Sequence, residues 1–577
     1  MSSALPPLAH MRRLIPAVAL AVLAAAPLVA QAPAGAAPPR YADLVTLFDG
    51  WRRFEVPPFV NGVPDYSPAT NAARRAELAQ WMQRLAAIDT TGWPIPARVD
   101  WHLVRAEMRG MQFHLETLRP WARDPAYYVW LRTEESDTPA EEGPVIHGAI
   151  RLWRYPIWPR TVLDTVAPLT AAQSSELATR LRAVRPLLTV ARTNLAGGRE
   201  RDLWVGAVRA FEEQSEALAT LAARVPARDR ALTAAIAEAK TATDAFTAWL
   251  RDEAPKRRGP SGVGAEAYSW FLRHVLLVPL SWDDEVQITR RELARAQASL
   301  RFEEQRNRTV PELRVASSPE EYRTLQDTSI ANYLRFLRER DVLTMEPWME
   351  RALRERMHPY APPERRNFFF QANHRDPLPL WTHLWHWWDN GRMRYAPHPS
   401  PIRRGPLLYN VWMSRAEGTA TAMEEWMMQM GLYDRSPRSR EIVWIMLMNR
   451  AARGLGNLYA HSGRLDMAQA ADIHVDWTAR GWMQRDPLLG FEQHLYLRQP
   501  GYGAAYITGG RLMEEVIAER ARQLGPAFSM RRLFDEVNGA GMIPVSLIYW
   551  ELTGDDRMVR ELETGRLEPF RTGSAAR

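Results

Sequence analysis

The chain has 577 residues, with 74 basic and 67 acidic side chains, a formal charge of +7 and no cysteine. Without cysteine there are no disulfides, no thiolate metal ligands and no cysteine nucleophile, so a protein of this size must be held by its core alone. The charge is slight for the length and the arginines interleave with acids, which leaves no basic stripe for nucleic acid.

At the start of the chain, Arg12 and Arg13 precede the apolar run Leu14 to Ala30, and small residues and prolines follow. This is the pattern of a secretory signal. The signal is expected to cover residues 1–36, with cleavage between 30 and 37. Its apolar run falls short of the roughly 20 residues that a membrane span requires. No second long apolar run follows, and no cysteine lies near the cleavage zone to carry a lipid. The reading predicts an exported bacterial protein, periplasmic or extracellular, with no stable membrane anchor. Lysine occurs only at Lys240 and Lys256, an arginine bias typical of a GC-rich genome.

Helical periodicity dominates the rest. Leu78, Trp81, Met82 and Leu85 share one face of 72–88, and 99–118, 171–195, 205–225, 229–253 and 285–304 repeat the pattern. Alternating apolar and polar runs are almost absent, so the predicted class is all-α. Pro255-Lys-Arg-Arg-Gly-Pro-Ser-Gly-Val-Gly264 reads as a linker, 254–264, between an N-terminal helical half (41–253) and a C-terminal half (265–565). Residues 566–577 read as a tail. The acidic stretch Thr133 to Gly143 and the proline run Ala396 to Pro406 read as loops.

Two segments concentrate the chemistry. Trp381-Thr-His-Leu-Trp-His-Trp-Trp-Asp-Asn390 sets His383 and His386 one helical turn apart, with Asp389 a turn further on. Ser414-Arg-Ala-Glu-Gly-Thr-Ala-Thr-Ala-Met-Glu-Glu425 sets Glu417 and Glu424 on one helix face. Two imidazoles from one helix and a carboxylate from another can hold a zinc ion and leave a fourth position open. The ligand set is open between His383, His386, Glu417 and His383, Asp389, Glu417; the second, richer in oxygen, also suits manganese or iron. Glu424 suits a hydrogen bond to a ligand histidine, or a salt bridge to an arginine. Four tryptophans, Trp381, Trp385, Trp387 and Trp388, read either as core or as the lining of a ligand cleft. There is no Gly-x-Ser-x-Gly elbow and no phosphate loop.

Gly264-Ala-Glu-Ala-Tyr-Ser-Trp-Phe-Leu272, Ala416 to Glu424, Asp472-Ile-His-Val-Asp-Trp477, Gln499-Pro-Gly-Tyr-Gly-Ala-Ala-Tyr-Ile-Thr-Gly509, Leu524 to Phe534 and Gly541-Met-Ile-Pro544 occur in that order. Together they resemble the secreted bacterial family called domain of unknown function 885, over roughly Tyr41 to Leu552. The resemblance implies the fold of helical zinc peptidases, with a deep central cleft. That family's metal segment reads His-Glu-x-x-Pro-Gly-His-His, then Glu-Gly-Trp and a second glutamate seven residues later. Glu417-Gly418 and Glu424 match the latter part, and His383 stands where the first histidine would. The resemblance supports His383 and Glu417 as ligands, and it implies His474 and Tyr506 as groups that bind a carbonyl oxyanion. The glutamate that would activate water is replaced by Leu384. Two functions therefore stand as expectations. One is a secreted metal-dependent peptide hydrolase, with Asp389 or Glu424 as substitute base. The other is an inactive binding or scaffold protein that holds a peptide or small apolar ligand in an aromatic-lined cleft.

Overall fold

The periodic stretches become helices that begin where polar caps stand. Ser67 accepts from the Thr70 N–H to start the helix Pro68–Ala86, and Thr170 with Gln173 forms a capping box for Ala171–Arg182. Ser281 with Asp284 does the same for Trp282–Arg306. The computed structural model describes residues 41–132, 150–151, 169–226 and 228–566. The signal segment, the acidic loop and the tail beyond 566 lie outside the described residues. Among those described, the only strands are two two-stranded pairs, Phe59–Val60 with Val63–Pro64 antiparallel and Leu131–Arg132 with Ile150–Arg151 parallel. The fold is all-α.

The helix Pro437–His461 runs through the middle and is buried nearly all round, from Arg438 to His461. Trp282–Arg306 packs along one side of it and Tyr502–Leu524 along another. Tyr502–Leu524 in turn crosses Met413–Gln429 very closely. A β-carbon on Gly418 would overlap the backbone of Gly509, and one on Gly509 would overlap the Ser414 carbonyl. Two glycines at the crossing therefore let the backbones touch, which fixes the helix that carries Glu417 against the helix that carries Tyr502.

The predicted linker is packed between the two halves. The Gly259 N–H donates to the Arg199 carbonyl at 2.7 Å, the Gly264 N–H to the His461 carbonyl at 2.8 Å, and the Arg257 guanidinium covers the Trp204 ring. One apolar core, from Leu44 to Leu562, spans both halves. The proline run is pinned as well: Arg403 pairs with Asp100 at 2.6 Å and Glu551 at 2.8 Å, joining the N-terminal helices to the C-terminal ones.

Candidate metal centre

The segment expected to form one helix is broken at Leu384. Leu378–His383 ends there, and Trp385–Tyr395 begins one residue later. The Trp387 N–H still bonds the Leu384 carbonyl at 3.0 Å, so the break is one tight turn. His383 and His386 remain neighbours across it, ring centroids 4.8 Å apart and edge to face.

The crossing at Gly418 brings Glu417 to these imidazoles. Donor atoms of His383, His386 and Glu417 all lie within 4.8 Å of one another. Glu417 Oε2 stands 3.7 Å from His383 Nε2 and 3.6 Å from His386 Nε2. His386 and Glu417 are 1% and 2% exposed. Tyr502 Oη donates to Glu417 Oε1 at 2.7 Å, which leaves Oε2 with no hydrogen bond. A buried carboxylate oxygen without a donor is costly, and a cation is one way to satisfy it. The donors fit zinc on that observation.

On the far side of His383, Nδ1 lies 3.1 Å from Glu424 Oε1. Glu424 is clamped by Arg450 at 2.6 and 3.0 Å. The Arg450 guanidinium, which can only donate, also lies 3.2 Å from Nδ1, so this nitrogen faces both a cation and a carboxylate; a proton on Nδ1 toward Glu424 is the tautomer that would leave the Nε2 lone pair for a metal. Burial first, and then the Arg450 charge, pushes the His383 imidazolium well down, so the ring is neutral. Burial pushes the Glu424 carboxyl up to about 7, against the pull of Arg450.

The other expected residues fall in different places. Tyr506 is close: its ring lies nearly parallel to that of His383, 6.3 Å away, beneath the Arg453 guanidinium at 4.1 Å. His474 lies further out, with Nε2 on Asn449 at 2.8 Å and Nδ1 on Gln493 at 3.2 Å. Asp389 is outside the cluster. Arg415 takes both its oxygens at 2.9 and 3.0 Å, and Arg392 takes one of them at 2.9 Å. A carboxylate so clamped is poorly placed as a ligand or base, and the donors that the structure brings together are those of His383, His386 and Glu417. The tryptophans are core. Trp385 packs on Phe534, and the indoles of Trp387 and Trp388 donate to the Ala352 and Met349 carbonyls. Leu384, too, is buried in the apolar core.

Sequence reasoning missed Tyr502, Arg450 and Arg453. The arginines had a signal, because polar residues inside the apolar run Ile442 to Leu455 require buried partners. Arg450 has Glu424, and Arg453 has Glu492.

Fold and site together define an all-helical protein built around a buried cluster of two histidines and a glutamate. The chain belongs to the bacterial protein family of unknown function DUF885, whose model matches residues 59–360. That match ends before His383, so the cluster lies outside it. Two solved structures share the fold. One, from Shewanella oneidensis and described as a lipoprotein of unknown function, is 14% identical with a TM-score of 0.63, over 88% of this chain and 98% of its own. The other, from Colwellia psychrerythraea and also described as a lipoprotein, is 13% identical with a TM-score of 0.61, over 91% and 98%. No curated protein matches the chain.

Proposed function

We propose that the protein is an exported, divalent-metal-dependent hydrolase of peptides, with His383, His386 and Glu417 as the protein ligands of one zinc ion. The observation that carries this reading is Glu417 Oε2, buried without a hydrogen bond between two imidazole Nε2 atoms. Three nitrogen and oxygen donors with a position left open are the donor set of catalytic zinc, and manganese or iron accepts the same set. When bound, the ion supplies Lewis acidity to a substrate carbonyl and to water. Glu424 would receive the His383 Nδ1 proton in the metal-binding tautomer, and Tyr502 turns Glu417 Oε2 inward. Tyr506, whose ring lies beside that of His383, is the group proposed to bind a developing oxyanion.

Export rests on the signal-like start, and the description of both solved relatives as lipoproteins supports it. These 577 residues offer no cysteine for a lipid. Among the described residues, no helix is long and apolar enough to cross a membrane.

One observation favours a second reading. Glu424 meets His383 at Nδ1 rather than Nε2, and Asp389 sits in an arginine clamp, so neither replaces the base that Leu384 fails to supply. A non-catalytic protein that keeps the metal and holds a peptide or small apolar ligand accommodates that. The test is cleavage of a peptide pool by the zinc-loaded protein and by its Glu417→Ala variant. Cleavage by the wild type alone supports the hydrolase. A wild type that retains zinc and cleaves nothing supports the second reading.

A further inference from the structure

His383 Nδ1 is offered two opposite partners. Glu424 Oε1, an acceptor, lies 3.1 Å from it, and Arg450 Nη2, which can only donate, lies 3.2 Å from it. The Ala420 carbonyl faces the same ring. Burial keeps the imidazole neutral, so it carries one proton, and the place of that proton decides which partner is satisfied. Both partners are held firmly. Arg450 stands in the buried helix Pro437–His461 and is 2% exposed, Glu424 is 1% exposed, and the two meet twice, Nη1 to Oε2 at 3.0 Å and Nη2 to Oε1 at 2.6 Å.

Each placement of the proton suits one state of the site. With the proton on Nε2, the Arg450 N–H meets the bare lone pair of Nδ1, and the Nε2–H faces Glu417 Oε2, which is 3.7 Å away and has no hydrogen bond. Glu424 loses little, because the Arg450 charge is already on it. With the proton on Nδ1, Glu424 receives it, but that N–H also meets the N–H of Arg450, and the Nε2 lone pair faces a carboxylate oxygen. Two lone pairs turned on each other want a cation between them. His386 Nε2, 3.6 Å from the same oxygen, can serve it in either case, so the choice is made at Nδ1, where Arg450 stands.

We propose that Arg450 is a positioning residue that sets the tautomer of His383. It holds the proton on Nε2 in the metal-free protein, and a metal ion enters as that proton leaves to water and Nδ1 takes one from water toward Glu424. The ring carries one proton before and after. Arg450 thereby restrains metal affinity instead of supporting it. This rests on the metal reading of the cluster and concerns the control of that same site.

The experiment is long-range proton–nitrogen correlation of the imidazoles in protein isotope-labelled in histidine, metal-free and then zinc-loaded, with His383 assigned by the signal lost in His383→Gln. The metal-free protein shows His383 protonated at Nε2 and bare at Nδ1, and zinc reverses the two. Competition with a chelator gives a second readout. Arg450→Met binds zinc about tenfold more tightly than the wild type, as expected once a charged donor no longer occupies the ring. A merely structural Arg450 gives the opposite sign, because a stranded Glu424 loosens the site. A metal-free wild type already protonated at Nδ1 overturns the proposal. So does zinc affinity unchanged or lowered in folded Arg450→Met, and if that variant does not fold the wild-type spectra decide alone. No zinc uptake by either protein removes the metal reading, while the metal-free spectrum still decides the tautomer, so the two proposals fail separately.

Discussion

Tyr502 holds Glu417 by a single hydrogen bond, Oη to Oε1 at 2.7 Å, and thereby aims the other carboxylate oxygen at His383 and His386. The tyrosine stands first in its helix, directly after Gly501, whose φ of +87° suits glycine and turns the chain into the helix. Partners of ligand carboxylates typically govern metal affinity by about 10- to 100-fold. Tyr502→Phe should weaken zinc binding in that range and leave the circular dichroism spectrum unchanged. Competition with a chromogenic chelator measures it. Unchanged affinity would mean that Glu417 is oriented by its helix alone.

The glycine crossing is the second support. In Gly418→Ala the added methyl meets the backbone of Gly509 and not a flexible side chain, so the helices must separate. Overpacking of this kind costs about 1–3 kcal/mol, and the separation should also draw Glu417 from the imidazoles. Urea unfolding with zinc titration should therefore show both losses in the same variant. A stability loss with full zinc affinity would separate the crossing from the site.

Asp389 separates a structural from a chemical role. Removing one partner of a buried ion pair costs about 3–5 kcal/mol, because the other charge is left stranded. Asp389→Asn strands Arg415, which is buried with it. The expected outcome is a marked drop in unfolding free energy with zinc stoichiometry unchanged. Zinc loss in a variant of full stability would restore Asp389 to the ligand set.

Much of the site could be read from the sequence, for a chemical reason: imidazole and carboxylate at helical spacing serve few purposes. His383, His386 and Glu417 meet, and Glu424 stands behind His383. The remainder depended on partners distant in sequence. Asp389 looked like a ligand until Arg415, 26 residues on, captured it. The break at Leu384 was hidden because the tight turn preserves the neighbourhood of the two histidines. Tyr502 carried only a Pro-Gly turn as its signal, whereas Tyr506, four residues on, drew the attention. The helices were legible because period and caps are local. The contacts that the glycines of 254–264 make with Arg199 and His461 depend on residues distant in sequence.

Glu285 gives a pH dependence remote from the metal donors. It is fully buried, receives the Tyr268 hydroxyl at 2.8 Å and the Thr508 hydroxyl at 3.0 Å, and burial pushes its carboxyl up from 4.5 to about 7. The folded state therefore holds this proton more tightly than the unfolded chain does. Its contribution is fully present below 4.5 and is lost as pH rises to about 7. The loss is about 3 kcal/mol at 1.36 kcal/mol per pH unit. Glu285→Gln should be more stable than the wild type at pH 8 by up to that amount, and the gap should close toward pH 4.5. Parallel stability curves for the two proteins would contradict the assignment.

His383, His386 and Glu417 are proposed to hold one metal ion. Elemental analysis of protein purified without chelators, beside its His383→Ala and Glu417→Ala variants, tests it most directly. About one equivalent of zinc per wild-type chain is expected, and almost none in either folded variant. A folded wild type without metal that also takes up none from added zinc would contradict it, and so would variants that keep a full equivalent.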